Sequence, residues 1–185
     1  MKGFETYQEI FFDQFLIEGG TPYVNLEGES YYSLVWKYYP QDTSRSVKTI
    51  NSLSNNVNFK PEAGRYELFI KDAHSDRYLE FNLAPNGAWW SAEFTSPRVK
   101  ADNEDIPIVG VRTYAKISGD GCWQAAASIP LSFLESDFSF GQGSRINVTF
   151  IVDSPEQKFL SVAELRGAKP DFHQPHCFNV VELNA

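Results

Sequence analysis

Short runs in which apolar and polar residues alternate, separated by clusters of Gly, Pro, Asn and Ser, recur along the chain, while sustained 3.6-residue periodicity is nearly absent. This pattern constrains the fold most, because side chains on a strand point alternately to opposite faces. Candidate strands lie at residues 31–39, 65–71, 77–83, 89–95, 108–117, 122–129, 145–153, 159–165 and 178–183. That many strands exceed one small sheet, so two packed sheets are the economical solution. The expected fold is all-β, an antiparallel two-sheet β-sandwich of jelly-roll or immunoglobulin-like kind with one or two short helical turns. One such turn is expected at residues 131–135, directly after Ile129-Pro130.

Alternation assigns faces. Leu79, Phe81 and Leu83 should share one face and Tyr78, Glu80 and Asn82 the other, with the first set in the core. By the same rule Tyr66, Leu68 and Ile70 face inward, as do Ile146, Val148, Phe150 and Val152. Turns are marked by Ala73-His74-Ser75-Asp76, Pro85-Asn86-Gly87 and Ser118-Gly119-Asp120-Gly121, rich in residues that accept positive φ or cap their own backbone. Each would join neighbouring strands into an antiparallel hairpin. Residues 51–61 and 97–107 read as long loops.

The chain has 185 residues, enough for one buried core, and a single domain over 1–185 is expected. Its compositional bias is aromatic, with 15 Phe, 9 Tyr and 4 Trp, which suits strands and stacking surfaces. Against 24 acidic residues stand 16 basic ones, with no basic cluster for phosphate backbones, so neither nucleic acid nor a membrane is an expected partner. Acidic residues occupy the first positions where a signal peptide needs an apolar run, and no segment approaches 18 apolar residues. The expected location is the cytoplasm, or the periplasm or extracellular space if a leader was removed. Cys122 and Cys177 are either one bridge or two buried thiols, the second being the commoner case.

Three separated pieces carry a resemblance. Tyr78-Leu79-Glu80-Phe81 is followed by Pro85 and Gly87, Trp123 precedes Ile129-Pro130 by six residues, and Asp171-Phe172-His173-Gln174-Pro175 comes near the end. In this order and spacing they resemble the family 9 carbohydrate-binding modules and the wider DOMON-like β-sandwich group, over residues 65–183. The resemblance implies a sandwich that holds a mono- or oligosaccharide without transforming it. Where such modules often carry an acidic residue between the Trp and the Ile-Pro, this chain has Ala125-Ala126-Ala127. Some DOMON-like relatives bind haem through a Met and a His, but the single methionine here is Met1.

Sugar recognition needs a flat aromatic face for the C–H face of the ring and polar groups at its edge. Trp89 and Trp90 are adjacent in a strand and point to opposite faces. Grouping Trp90 with Ala92 and Phe94 as the apolar set leaves Trp89 with Ser91 and Glu93 on the polar face, so Trp89 is the expected exposed platform. Arg98, Asn82, Glu80 and Glu93 are its expected edge partners, and Trp36, among Tyr31, Tyr32, Tyr38 and Tyr39, extends a stacking surface if not core. Trp123 alternates with Ala125, Ala127 and Ile129 and is expected in the core.

No enzyme is expected, since nucleophile and metal motifs are absent. Paired carboxylates from Glu67, Glu80 and Glu93 would need a defined separation that the sequence does not set. No metal site or cofactor is expected, with calcium as the one alternative. Asp102-Asn103-Glu104-Asp105 offers oxygen donors of the kind calcium prefers but lacks the EF-hand spacing, and reads as a solvated loop. His173 and His176 read as structural hydrogen-bonding groups rather than a metal pair. Asn147-Val148-Thr149 fits a glycosylation sequon but lies inside a candidate strand. The competing function is a β-sandwich protein–protein interaction or self-association domain that kept the fold and not the sugar.

Overall fold

The computed structural model describes the backbone of residues 9–12, 15–18, 22–24, 30–38, 65–84, 87–101, 108–117, 123–152 and 158–181, and the side chains of 65–84, 87–101, 108–114, 126–151 and 159–181. In chain order the elements are β1 (Glu9–Phe12), β2 (Phe15–Glu18), β3 (Pro22–Val24), β4 (Ser30–Tyr38), β5 (Arg65–Lys71), β6 (Tyr78–Leu83), β7 (Trp89–Ser96) and β8 (Val99–Lys100). There follow β9 (Arg112–Ile117), β10 (Trp123–Pro130), α1 (Leu131–Phe138), β11 (Arg145–Val152), β12 (Lys158–Ser161), a 3-10 turn at Pro175–Cys177 and β13 (Asn179–Val180). They form an all-β, antiparallel two-sheet sandwich. The first sheet runs β1-β2-β4-β10-β9, with β3 also on β4, and the second runs β12-β11-β5-β6-β7-β8, with β13 also on β11.

Local chemistry explains the hairpins at the centre of the second sheet. Between β5 and β6 the Asp72 carboxylate accepts hydrogen bonds from the His74 N–H at 2.7 Å and the Ser75 N–H at 2.9 Å, while the Asp72 N–H donates to Arg77 O. An Asp that caps its own turn in this way replaces ladder bonds that the bending backbone cannot make. Between β6 and β7 the Ala84 N–H donates to Ala88 O, and Gly87 takes φ +83°, the left-handed region where a Cβ is costly. The hairpins expected at residues 73–76 and 85–87 are therefore present, and β9 pairs antiparallel with β10 as expected.

The main core lies between the sheets. Tyr66, Leu68 and Ile70 of β5, Leu79, Phe81 and Leu83 of β6, Trp89 of β7, and Val148 and Phe150 of β11 pack with Ala127 and Ile129 of β10. Helix α1 closes one margin by burying Leu131, Leu134 and Phe138, three residues at helical spacing. It extends beyond the single turn expected at residues 131–135. Full burial of each large apolar side chain here contributes about 1.5–3 kcal/mol, so this layer dominates stability.

A second apolar cluster covers part of the opposite, outer face of the second sheet. Phe69, Tyr78, Ala92, Phe94 and Ile151 pack there with Phe172 and Phe178 from the C-terminal segment. Tyr78 and Phe94 stack with centroids 4.9 Å apart at 5°. The central strands are thus buried on both sides, which blurs the alternation of apolar and polar residues.

Several sequence expectations change in detail. Strands β1, β2 and β3 precede the first expected strand, and the expected loop at 97–107 contains β8 on the sheet edge. Of the expected strand at 159–165 only residues 159–161 lie in β12, which starts one residue earlier, and within 178–181 the strand is β13. Residues 51–61 and 102–105 lie outside the described residues, as do Cys122 and the side chains of Trp36, Trp123 and Val152. Asn147 is fully buried, its Nδ2 donating to Ser161 Oγ and its Oδ1 accepting from the Ala163 N–H, so its amide already closes a turn and is not a glycan acceptor.

Candidate functional site

The outer face of the second sheet brings polar side chains into rows by strand register. Across β11, β5, β6 and β7 one row reads Thr149, Glu67, Asn82 and Trp90, and the next reads Asn147, Phe69, Glu80 and Ala92. Directly paired residues share a face, so Glu67, Glu80, Asn82 and Trp90 project from the same side. Trp90 is half-buried at the margin of this group, with the Lys100 ammonium of β8 4.9 Å from its ring centroid. That distance is in cation–π range.

The polar members are buried. Asn82 Nδ2 donates to Glu80 Oε1 at 2.8 Å, whereas Asn82 Oδ1 is buried with no donor among the described residues. Glu67 is held from two sides, by Arg65 Nε at 2.6 Å and by the Thr149 hydroxyl at 3.1 Å. A buried acceptor without a donor is costly, and such atoms in native proteins call for an explanation.

Burial and crowding set the charges. Burial pushes the Glu80 carboxyl up to about 7 and the negative charge of Glu67 adds to this, while the Asn82 amide, Arg65 and Lys100 pull against it. Glu67 is raised from the ordinary carboxylate range by burial, against the opposing pull of Arg65 and Thr149. Two carboxyls from adjacent strands on one face disfavour joint ionisation.

The C-terminal segment binds this face through His173. The Tyr78 oxygen accepts the Arg98 backbone N–H at 3.1 Å, and its own O–H then donates to His173 Nδ1 at 2.8 Å. That assignment leaves the imidazole proton on Nε2, facing Glu80 Oε2 at 3.6 Å. Burial lowers His173 to about 4, with Arg98 acting in the same direction and Asp171 against it. Between about pH 4 and pH 7 Glu80 and His173 are therefore both largely neutral, and their contact is not an ion pair. Burial raises Tyr78 to about 12, the Arg98 N–H opposing it. Arg98 takes φ +63° at the turn before β8, and its guanidinium reaches Asp171 at 2.8 Å. Burial works against Asp171, but the His173 N–H and Arg98 hold it below the usual range.

The expected site residues divide between the two faces. Glu80 and Asn82 meet on the outer face, with Arg98 exposed at its rim. Trp89 does not join them: it is 6% exposed, lies in the inner core and stacks on Phe81 at 5.4 Å and 20°. The physical reason is register, since Trp89 is paired with Leu83 and must share its inward face, while Trp90 pairs with Asn82 on the outer one. Glu93 is likewise opposite Leu79 and pairs with Arg77 at 2.6 Å, away from Glu80. Trp36 belongs to the other sheet, in β4. Sequence reasoning missed Trp90 as the platform candidate, Lys100 on its ring and Thr149 beside Glu67. Glu67, which the sequence offers only for a hydrolytic carboxylate pair, shares a face with Glu80 and not with Glu93. The hairpin register carried the signal for Trp90 and Glu93. His173 takes the hydrogen-bonding role expected of it, while His176 is exposed. Among the described residues no three His, Cys, Asp or Glu side chains converge as for a metal ion.

Neither a family model nor a curated protein matches the chain. A solved structure shares its fold. It is the crystal structure of a "putative carbohydrate-binding protein" from Bacteroides uniformis, 19% identical, matched over 90% of this chain and 84% of that one with a TM-score of 0.56. At that identity the likeness shows a common sandwich architecture, and function must be argued from the site.

Proposed function

We propose that this chain is a single-domain, non-catalytic carbohydrate-binding module, family 9-like or DOMON-like in kind, whose site is the outer face of the second sheet. The observation that carries this reading is the half-buried Trp90 beside a buried Glu80–Asn82 pair that retains an acceptor without a donor. A sugar ring lies against the indole and its hydroxyls donate to Glu80 and Asn82, with Arg98 at the rim. The fold shared with a protein described as carbohydrate-binding supports the reading in a general way. Affinity is modest, on the order of micromolar to millimolar, because few contacts offset the entropy of immobilisation.

The test is a tryptophan-fluorescence titration against mono- and oligosaccharides, with Trp90→Ala alongside the native chain. Saturable binding that is lost in Trp90→Ala, with cooperative melting retained, supports the module. Silence across the panel, or binding unaffected by the substitution, contradicts it. The second reading, a protein interaction or self-association domain, is favoured by exposed Val99 on β8 and Tyr114 on β9, each on the edge strand of its sheet. A silent sugar panel with concentration-dependent sedimentation would select it.

A further inference from the structure

The polar pair beside Trp90 is richer in acceptors than in donors once Glu80 is ionised. Asn82, 5% exposed, gives one of its two amide hydrogens to Glu80 and keeps Oδ1 without a donor among the described residues. The second oxygen of Glu80 faces His173 Nε2 at 3.6 Å, longer than a hydrogen bond. The nearby cations are engaged: Arg65 with Glu67 at 2.6 Å, Arg98 with Asp171 at 2.8 Å, and Lys100 over the Trp90 ring. The Oε2 of an ionised Glu80 and the Oδ1 of Asn82 are acceptors, and a ligand group satisfies them only with hydrogens of its own. A hydroxyl does so. A carboxylate leaves Oδ1 unsatisfied and adds a like charge beside two carboxyls in a poorly hydrated place, where both penalties are large.

We propose that Glu80 and Asn82 form a donor-reading subsite that accepts the primary hydroxyl of a neutral hexose and rejects the uronic acid of the same sugar, which carries a carboxylate in that place. This rests on the carbohydrate reading above and adds a ligand class to it. The discrimination follows the rule that a site built to pair with a hydroxyl strongly rejects an analogue that cannot donate.

Isothermal titration at pH 8, where Glu80 is ionised because its titration lies near 7, compares glucose, galactose and mannose with glucuronate, galacturonate and mannuronate. Each neutral hexose that binds should do so at least tenfold more tightly than its uronate. In Glu80→Gln, which keeps the shape of the side chain and an acceptor for Asn82, the ratio should fall below threefold. The native comparison needs no variant, and circular dichroism checks that the variant is folded. Uronates binding as tightly as the hexoses, or uronates alone binding, would overturn the inference and leave the carbohydrate reading standing. A ratio unchanged in Glu80→Gln would overturn the assignment to Glu80. Binding of none of the six would overturn this inference, and the carbohydrate reading would fall with it only if the oligosaccharides of the panel above were silent too.

Discussion

The two faces of the second sheet are built from the same strands and do different work. The inner face stacks Phe81 on Trp89, sets Tyr66 edge-on to Phe150 at 4.7 Å, and carries mostly apolar side chains. The outer face is equally dry at its centre but mixes aromatics with Glu67, Glu80, Asn82 and Thr149, all buried. An apolar layer gains from every atom withdrawn from water, whereas a buried carboxyl loses hydration that its neighbours must replace. Here the replacement is incomplete, at Asn82 Oδ1 and in the raised Glu80. The larger apolar cluster lies on the inner face, and the outer face, where we place the proposed site, carries the buried carboxyls and the Asn82 acceptor.

The largest effect expected from this contrast is on the inner face. Trp89→Ala should cost about 3–5 kcal/mol, the range for emptying a large aromatic from a packed core, read from urea unfolding midpoints with an unchanged m-value. A loss below about 1 kcal/mol would mean that Trp89 is not packed as described.

The next effect sharpens the contrast through pH. Glu80 is raised from 4.5 to about 7, so its contribution to stability is complete below pH 4.5 and is lost as pH rises through about 7, by roughly 3 kcal/mol. His173 is lowered from 6.5 to about 4, so its contribution has the opposite sign, present above pH 6.5 and lost as pH falls through about 4. The two slopes oppose each other from about pH 4.5 to pH 6.5, and Glu67, also raised, adds to the falling one. Glu80→Gln should remove the Glu80 part of the falling limb, so that its stability relative to the native chain grows from pH 4.5 to about pH 7 and stays higher at pH 8. Parallel pH profiles for the two proteins would show that Glu80 is not a strained acid.

The smallest effect is at the rim. The Arg98–Asp171 pair is solvent-exposed, and such pairs contribute about 0–1 kcal/mol. Arg98→Ala should therefore leave the melting temperature within a few degrees (about 4 °C or less) of the native value. A larger fall would assign the ion pair a structural role in holding the C-terminal segment that its exposure does not suggest.

Much of the fold was legible because alternation and turn chemistry act locally. The strand boundaries of β5 matched at both ends, and the inward sets on β5 and β6 were correct, because Asp72 and Gly87 fix their hairpins within a few residues. The site was half legible. Glu80 and Asn82 follow from alternation along β6, but choosing between Trp89 and Trp90 by counting apolar neighbours failed, since Ala92 and Phe94 are buried too, under the C-terminal segment. Burial on both sides of a sheet removes the contrast that such counting needs. Pairing Leu83 with Trp89 across the Pro85-Asn86-Gly87 turn would have put Trp89 inside. The contacts of His173 with Tyr78 and Glu80 span more than ninety residues of chain and leave no local trace.

The most direct test of the outer face as the binding face is protein-observed NMR of the full chain, titrated to saturation with a sugar that binds. The Trp90 indole N–H and the Asn82 side-chain amide should shift together along one saturation curve, with the Trp89 indole N–H unmoved. Shifts centred on Trp89, or on the exposed edge residues Val99 and Tyr114 with the Trp90 indole silent, would contradict the account.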